Sequence, residues 1–241
     1  MTLKYRAALF DLDDTIFDHQ AHRREALVAL GRFIPSLSGI SLKDIESAHE
    51  VQLQRTHLAL LDGTLSVSQA RTERMRGLLN DFGIQADDAL TNTCEEIYRA
   101  AYNRKWRAVP GARELLKSLR KLDMWIGVIT NGQWSRQTEK LHALRLENMI
   151  NEMIVSETIG SKKPAQSFFE HALARTGVSP NECIVVGDLW EIDIQGALNI
   201  GLDSIWLNRY GRTCEPTAKV IEVTSLLPTA KIVKLFLEKV A

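Results

Sequence analysis

Tyr5-Arg6-Ala7-Ala8-Leu9-Phe10-Asp11-Leu12-Asp13-Asp14-Thr15 is a short apolar run that stops abruptly on acid. Residues 5–10 read as a buried strand. Asp11 and Asp13 stand two apart, so in extended chain they point to one face and their carboxylates repel. A further carboxylate from a neighbouring strand would leave two outcomes. A hard divalent cation such as Mg2+ is held through oxygens, or one carboxyl stays protonated. Read alone, the stretch also fits an acidic turn that caps a helix. Its weight depends on what the rest of the chain brings to the same edge.

From about Asp18 to Lys105 apolar residues recur at three- and four-residue spacing. They run as Ala26, Leu27, Leu30 and Phe33, then Ile45, Val51 and Leu53, then Met75, Leu78, Leu79 and Phe82, then Leu90, Ile97 and Tyr98. This period predicts about four consecutive helices. Turn chemistry at 35–39, 61–66 and 83–87 separates them. After Pro110-Gly111 the pattern becomes an alternation. Strands are expected at 125–129, 153–155, 183–186, 204–207 and 220–223. Helices are expected at 112–121, from about 135, and at 165–176, 192–200 and 226–239. Such alternation indicates βαβ units, and apolar strands without polar alternation fit a parallel sheet covered on both faces. The expected fold class is α/β: a Rossmann-like parallel-sheet core from 1–17 and 106–241, with an all-helical domain, 18–105, inserted near its start. Residues 103–107 would form the hinge.

The whole chain of 241 residues carries 30 Lys+Arg and 30 Asp+Glu, a formal net charge of zero. That balance disfavours a polymeric nucleic-acid partner, which calls for a basic face. A hydrophobic fraction of 45% with 25% charged residues is that of a globular protein, not a disordered one. No apolar run approaches the roughly 20 residues that span a bilayer, and the acidic N-terminal stretch is not a secretory leader. Cys94, Cys183 and Cys214 form no CxxC pair, which fits a reducing cytoplasm. His19 and His22 read as surface positions of a helix and not as a zinc pair.

Ligands of open α/β sheets bind at the carboxyl ends of the strands. The first strand delivers Asp11, Asp13, Asp14 and Thr15 there, and a second ends in Thr130-Asn131-Gly132. Lys162 and Lys163 precede Pro164 at a helix start, and another strand ends in Gly187-Asp188 with Asp193 beyond. Each feature alone has an ordinary reading as a turn, a cap or a solvated lysine. Together, in order and each at a strand end or helix start, they make an anion-plus-cation site suited to phosphoryl transfer, where positioning and charge stabilisation do most of the work.

At these residues the chain resembles the haloacid dehalogenase superfamily of phosphohydrolases. Asp11-Leu12-Asp13-Asp14-Thr15 matches the family's DxDxT, followed in order by Thr130-Asn131-Gly132, Lys163-Pro164, and Gly187-Asp188 through Asp193. The helical block resembles the family's four-helix cap. Within the family the chain is similar to the branch holding the bacterial house-cleaning pyrimidine nucleotidase and N-acylneuraminate-9-phosphatase, through residues 10–17, Gly63 with Arg74, Val155-Ser156-Glu157, and Trp206-Leu207-Asn208-Arg209.

The resemblance implies a Mg2+-dependent phosphatase acting on a small soluble phosphate monoester, a nucleoside monophosphate or a sugar phosphate. Asp11 would attack phosphorus and form an aspartyl-phosphate. Asp13 would protonate the leaving oxygen and then activate water, with its backbone carbonyl on the metal. Thr130, Asn131 and Lys163 would hold the phosphoryl group. Asp188 would complete the metal site with Asp11, Asp193 would support it, and Thr15 would order the loop. Lys163, directly before Pro164, is the family lysine and Lys162 is not. Two positions depart from the pattern: Leu189 stands where a small hydroxyl residue is common, and Ile192 where a polar one is frequent. Asp13 separates two chemistries. Halide leaves without a proton, whereas an alkoxide needs one, so Asp13 argues for phosphate esters. Phe17, His19, Arg71 and Arg74, with Trp134 and Trp190 on the core side, are candidate contacts to the rest of the substrate. A sugar phosphomutase, or a regulatory protein on the same scaffold, are the alternatives.

Overall fold

The computed structural model describes residues 3–61, 63–214, 217 and 219–237, without the side chains of residues 57, 58 and 61. Six parallel strands form one sheet: β1 (Ala7–Asp11), β2 (Trp125–Thr130), β3 (Glu152–Val155), β4 (Cys183–Gly187), β5 (Asp203–Leu207) and β6 (Val220–Val223), in the order β3-β2-β1-β4-β5-β6. β1 and β4 are buried at every residue, as a sheet covered on both faces requires. Ala7, Leu9, Ile129, Cys183 and Val185 pack there against Phe168, Phe169 and Ala172.

The strand order reverses at β1, which has β2 on one side and β4 on the other. Asp11 is paired with Ile129, and Phe10 with Val186. The carboxyl ends of β1, β2 and β4 therefore lie side by side, at the kind of switch point where α/β sheets bind ligands.

The chain divides into two units, 1–18 with 106–241, and 19–105. The second unit holds α1 (His19–Phe33), α2 (Leu42–Leu61), α3 (Val67–Asp81) and α4 (Asp88–Asn103). α1 packs on α4 and α2 on α3 around Leu27, Leu30, Ile45, Met75, Leu78, Leu79 and Cys94. The starts are encoded locally. Ser66 and Gln69 form a reciprocal capping box before α3, and Asp87 accepts the Leu90 amide before α4. Expectations for this unit are corrected at three residues. Phe33 and Val51, counted on apolar stripes, are 44% and 60% exposed, and His22, read as a surface residue, is fully buried.

The sheet unit continues with α5 (Ala112–Arg120), α6 (Trp134–Leu144), α7 (Ser156–Ile159), α8 (Gln166–Thr176), α9 (Gln195–Asn199) and α10 (Thr229–Val233). The helix expected over 192–200 begins instead with a π turn, Trp190–Ile194, in which the Leu189 carbonyl accepts from the amides of both Asp193 and Ile194. The expected 226–239 helix is shorter. Pro228 holds Leu227 out of helical geometry, so α10 begins at Thr229, and one 3-10 turn, Lys234–Phe236, ends it. Residues 238–239 of that expectation lie outside the described residues. The short α7 had no signal in the period, being a single turn.

Candidate active site

Asp11 closes β1, and the chain then turns sharply. Asp14 adopts a left-handed φ of 61°, which a short polar side chain tolerates. The amides of Ile16 and Phe17 donate to the Leu12 carbonyl, and that of Asp14 donates to the Phe17 carbonyl. This backbone bonding orders the loop. The Thr15 hydroxyl, expected to do so, is buried without a hydrogen-bond partner among the described residues.

Lys163 Nζ donates to Asp11 Oδ1 at 2.5 Å, to Asp193 Oδ1 at 2.7 Å and to the Ile129 carbonyl at 3.1 Å. Lys163 is buried and Lys162 is exposed, so the lysine beside Pro164 is the one that meets Asp11. Asn131 fixes its backbone: Asn131 Nδ2 donates to the Lys163 carbonyl and the Lys163 amide donates to Asn131 Oδ1, both at 2.9 Å. The Asn131 side chain thus clamps the lysine. Two main-chain donors in the turn after β2 are also engaged. The Gly132 amide donates to Ser156 Oγ and the Trp134 amide to Glu157 Oε2, because the end of β3 lies alongside.

Asp11, Asp188 and Asp193 each offer a carboxylate oxygen within 4.8 Å of the others, and all three are buried. Their partners differ. Asp193 uses one oxygen on Lys163 and the other on the Leu189 amide at 3.0 Å. That amide supports Asp193 whatever the side chain at Leu189. Among the described residues Asp188 has only Arg212 at 3.8 Å from its carboxylate, and its carbonyl accepts from Trp206 Nε1. Asp11 Oδ2 has no hydrogen bond among the described residues. Gly187 makes the arrangement possible: a Cβ there would lie 2.4 Å from Asp193 Cβ.

Burial first, then the charges of Asp11 and Asp193, pushes the Asp188 carboxyl up to about 9. Burial pushes Asp11 up to about 7 against the pull of Lys163. Burial alone would lower Lys163, but Asp11 and Asp193 outweigh it and its pKa is raised. One lysine therefore does not balance the site. Oxygens left free on Asp11 and Asp188, in a pocket short of positive charge, suit a hard divalent cation.

Asp13 lies beside this cluster. Lys140 Nζ donates to both of its carboxylate oxygens at 2.7 Å. Gln137 Nε2 donates to Thr130 Oγ1 at 2.9 Å and reaches Asp13 Oδ2 at 3.4 Å. Sequence reasoning missed both residues. The available signal was the stripe Gln137, Lys140, Leu141 and Leu144, the buried face of α6, in which two of four positions are polar.

The remaining candidates are placed as follows. Phe17 is fully buried, edge-on to Trp106. Trp134 is exposed, and Trp190 packs on Trp206. In the helical unit His19 Nδ1 shares a 2.6 Å hydrogen bond with Tyr102 Oη, and Arg71 is exposed. Arg74 is half-buried, donates from Nε to Thr56 Oγ1 at 3.3 Å, and has no carboxylate partner among the described residues. Burial, then the charges of Arg74 and Arg23, pushes the neighbouring His49 down to about 3.

Buried carboxylates and a lysine gathered at the switch point of a parallel sheet fit one class of protein, and the comparisons name it. The chain belongs to the haloacid dehalogenase-like hydrolases, which its residues 63–207 match, and it is an enzyme of that family. It is 30% identical over 235 residues to the HAD-hydrolase YfnB of Bacillus subtilis, covering 96% of this chain and 93% of that one. A crystal structure of YfnB bound to magnesium aligns with a TM-score of 0.72 at 27% identity, covering 95% of this chain and 99% of that one. Mouse N-acylneuraminate-9-phosphatase is 26% identical over 93% of this chain and 94% of its own length. The pyrimidine 5'-nucleotidase PynA of Streptococcus pneumoniae is 28% identical over 92% and 94%. Among the described residues no helix is long and apolar enough to cross a membrane.

Proposed function

We propose that the chain hydrolyses small phosphate monoesters, with Mg2+, through an aspartyl-phosphate. The observation that carries this reading is the setting of Asp11: one carboxylate oxygen is held by Lys163 and, among the described residues, the other takes no hydrogen bond. One Asp11 carboxylate oxygen forms a bond to phosphorus as the bond to the leaving oxygen breaks, and Asp13 delivers a proton to that oxygen. Asp13 then takes a proton from water, which attacks phosphorus and releases phosphate and Asp11. Asp11, Asp188 and the Asp13 carbonyl would hold Mg2+, with Asp193 in support. When bound, the cation supplies positive charge that offsets the transferring phosphoryl group. Thr130 and Lys163 hold that group, with Asn131 keeping the lysine in place.

The helical domain, 18–105, is assigned the selection of the substrate's non-reacting part, as the resemblance implies. His19, Arg71 and Arg74 are its candidate contacts; Phe17, which lies in the sheet unit and is fully buried, is not among them. Arg74, which pairs with no carboxylate among the described residues, supports a substrate with an anionic or hydroxyl-rich end. Free thiols at all three cysteines support a reducing, cytoplasmic setting. The named phosphatase and nucleotidase relatives support the substrate class, and the neutral net charge supports a small substrate over a nucleic-acid polymer. The test is phosphate release from an aryl phosphate with Mg2+. Asp11→Asn should abolish it, and so should EDTA. Activity that survives both would sink the proposal.

A further inference from the structure

Lys140 is one of two buried lysines among the described residues, its side chain 7% exposed, and an ammonium is costly to bury unless it is well paired. Its partner is neither a structural acid nor a surface one but Asp13, whose side chain keeps 32% of its exposure. Equal 2.7 Å contacts to both oxygens put Nζ astride the carboxylate and hold its plane. Nζ also lies 5.1 Å from the centroid of the Phe17 ring, at the far end of the same loop. One turn earlier on α6, Gln137 holds the Thr130 hydroxyl and reaches Asp13. A single helix thus ties the group that would protonate the leaving oxygen to the group that would hold the phosphoryl.

Resting on the phosphatase reading above, we propose that Lys140 is the positioning residue for Asp13. It acts through Asp13, orienting that carboxylate toward the leaving oxygen, and touches neither phosphorus nor the cation. Gln137 sets the distance between Asp13 and Thr130. A lysine kept only to anchor the loop would serve every substrate alike. A lysine that aims the proton donor matters in proportion to how badly the leaving group needs a proton.

The experiment compares kcat/KM for an alkyl phosphate and for dinitrophenyl phosphate, whose leaving group departs without a proton. kcat/KM reports transfer to Asp11, the step in which the ester bond breaks. Lys140→Met should lower the alkyl phosphate value by about 10²-fold and leave the dinitrophenyl value within about threefold. The retained dinitrophenyl activity also reports a folded protein. Lys140→Arg keeps the charge with a larger, planar head, should give a smaller loss of the same selective kind, and carries the comparison if Lys140→Met does not fold. Added to Asp13→Asn, Lys140→Met should cost little more on the alkyl ester, since both changes remove one function. Equal losses on both esters, or fully additive losses in the double variant, overturn the proposal. If the wild-type protein releases no phosphate from either ester, the phosphatase reading fails and this one falls with it.

Discussion

Asp11 and Asp188 are acids that the fold holds against their ordinary behaviour. Their carboxyls, near 3.8 in an unstructured chain, are pushed up to about 7 and about 9, chiefly by burial. Without a cation the folded chain binds their protons more tightly than the unfolded chain does. Their contribution favours the fold at low pH and is withdrawn as pH rises from about 4 through those two values. Lys163, with its pKa raised, adds stability that is present below its unfolded value of 10.5 and is lost only as pH passes above its folded one. The expected outcome is a Tm of the metal-free protein that falls between about pH 5 and pH 9, and an increase on adding Mg2+ that grows over the same range, because protons and the cation compete for these oxygens. Thermal melts with Mg2+ or EDTA at each pH check this. A Mg2+ increase of one size at both ends would remove these two carboxylates from the cation site.

At the scale of elements, the site depends on how closely β4 approaches the turn that follows it. The π turn Trp190–Ile194 inserts one residue before α9 and brings Asp193 back over Gly187. Local π geometry of this kind recurs at functional sites. An alanine at 187 would place its Cβ 2.4 Å from Asp193 Cβ and 2.7 Å from Oδ2. Gly187→Ala should therefore displace Asp193, loosen Lys163, and cost about 1–3 kcal/mol of stability as overpacking does. Urea unfolding and phosphate release measure the two effects. Loss of stability with full activity would mean that Asp193 does not govern Lys163.

At the scale of the whole molecule, each unit has hydrophobic packing of its own. In the sheet unit one cluster lies along the sheet around Leu9, Ile129 and Val185, and in the other unit a cluster lies inside the four helices around Leu30, Leu78 and Leu79. Separate cores open separately. Leu79→Ala should destabilise by about 2–5 kcal/mol, the usual range for a buried leucine, and the effect should be local. Hydrogen exchange measured by mass spectrometry should accelerate across α1 to α4 and leave β1 and β4 protected. Equal acceleration in both units would mean that they unfold as one.

Much of this was legible from residue order. Apolar runs that end on acid, hydroxyl or glycine marked the central strands and their carboxyl ends, because a buried parallel strand must be apolar throughout. The 3.6-residue period and the caps at Ser66 and Asp87 marked the helices, because those signals are local. Ordered motifs put Asp11, Thr130 and Asp188 at strand ends and Lys163 at a helix start. Only the tertiary structure decided what these groups touch. Lys163 bridges Asp11 and Asp193, and Asn131 holds Lys163 by its backbone. Lys140 and Gln137, unremarked on a helix face, reach Asp13, and His22 is buried. Each is a contact across 30 or more residues of chain or a matter of which face is covered. Such contacts depend on where the sheet and its helices bring distant segments together, and local period and propensity carry no record of that.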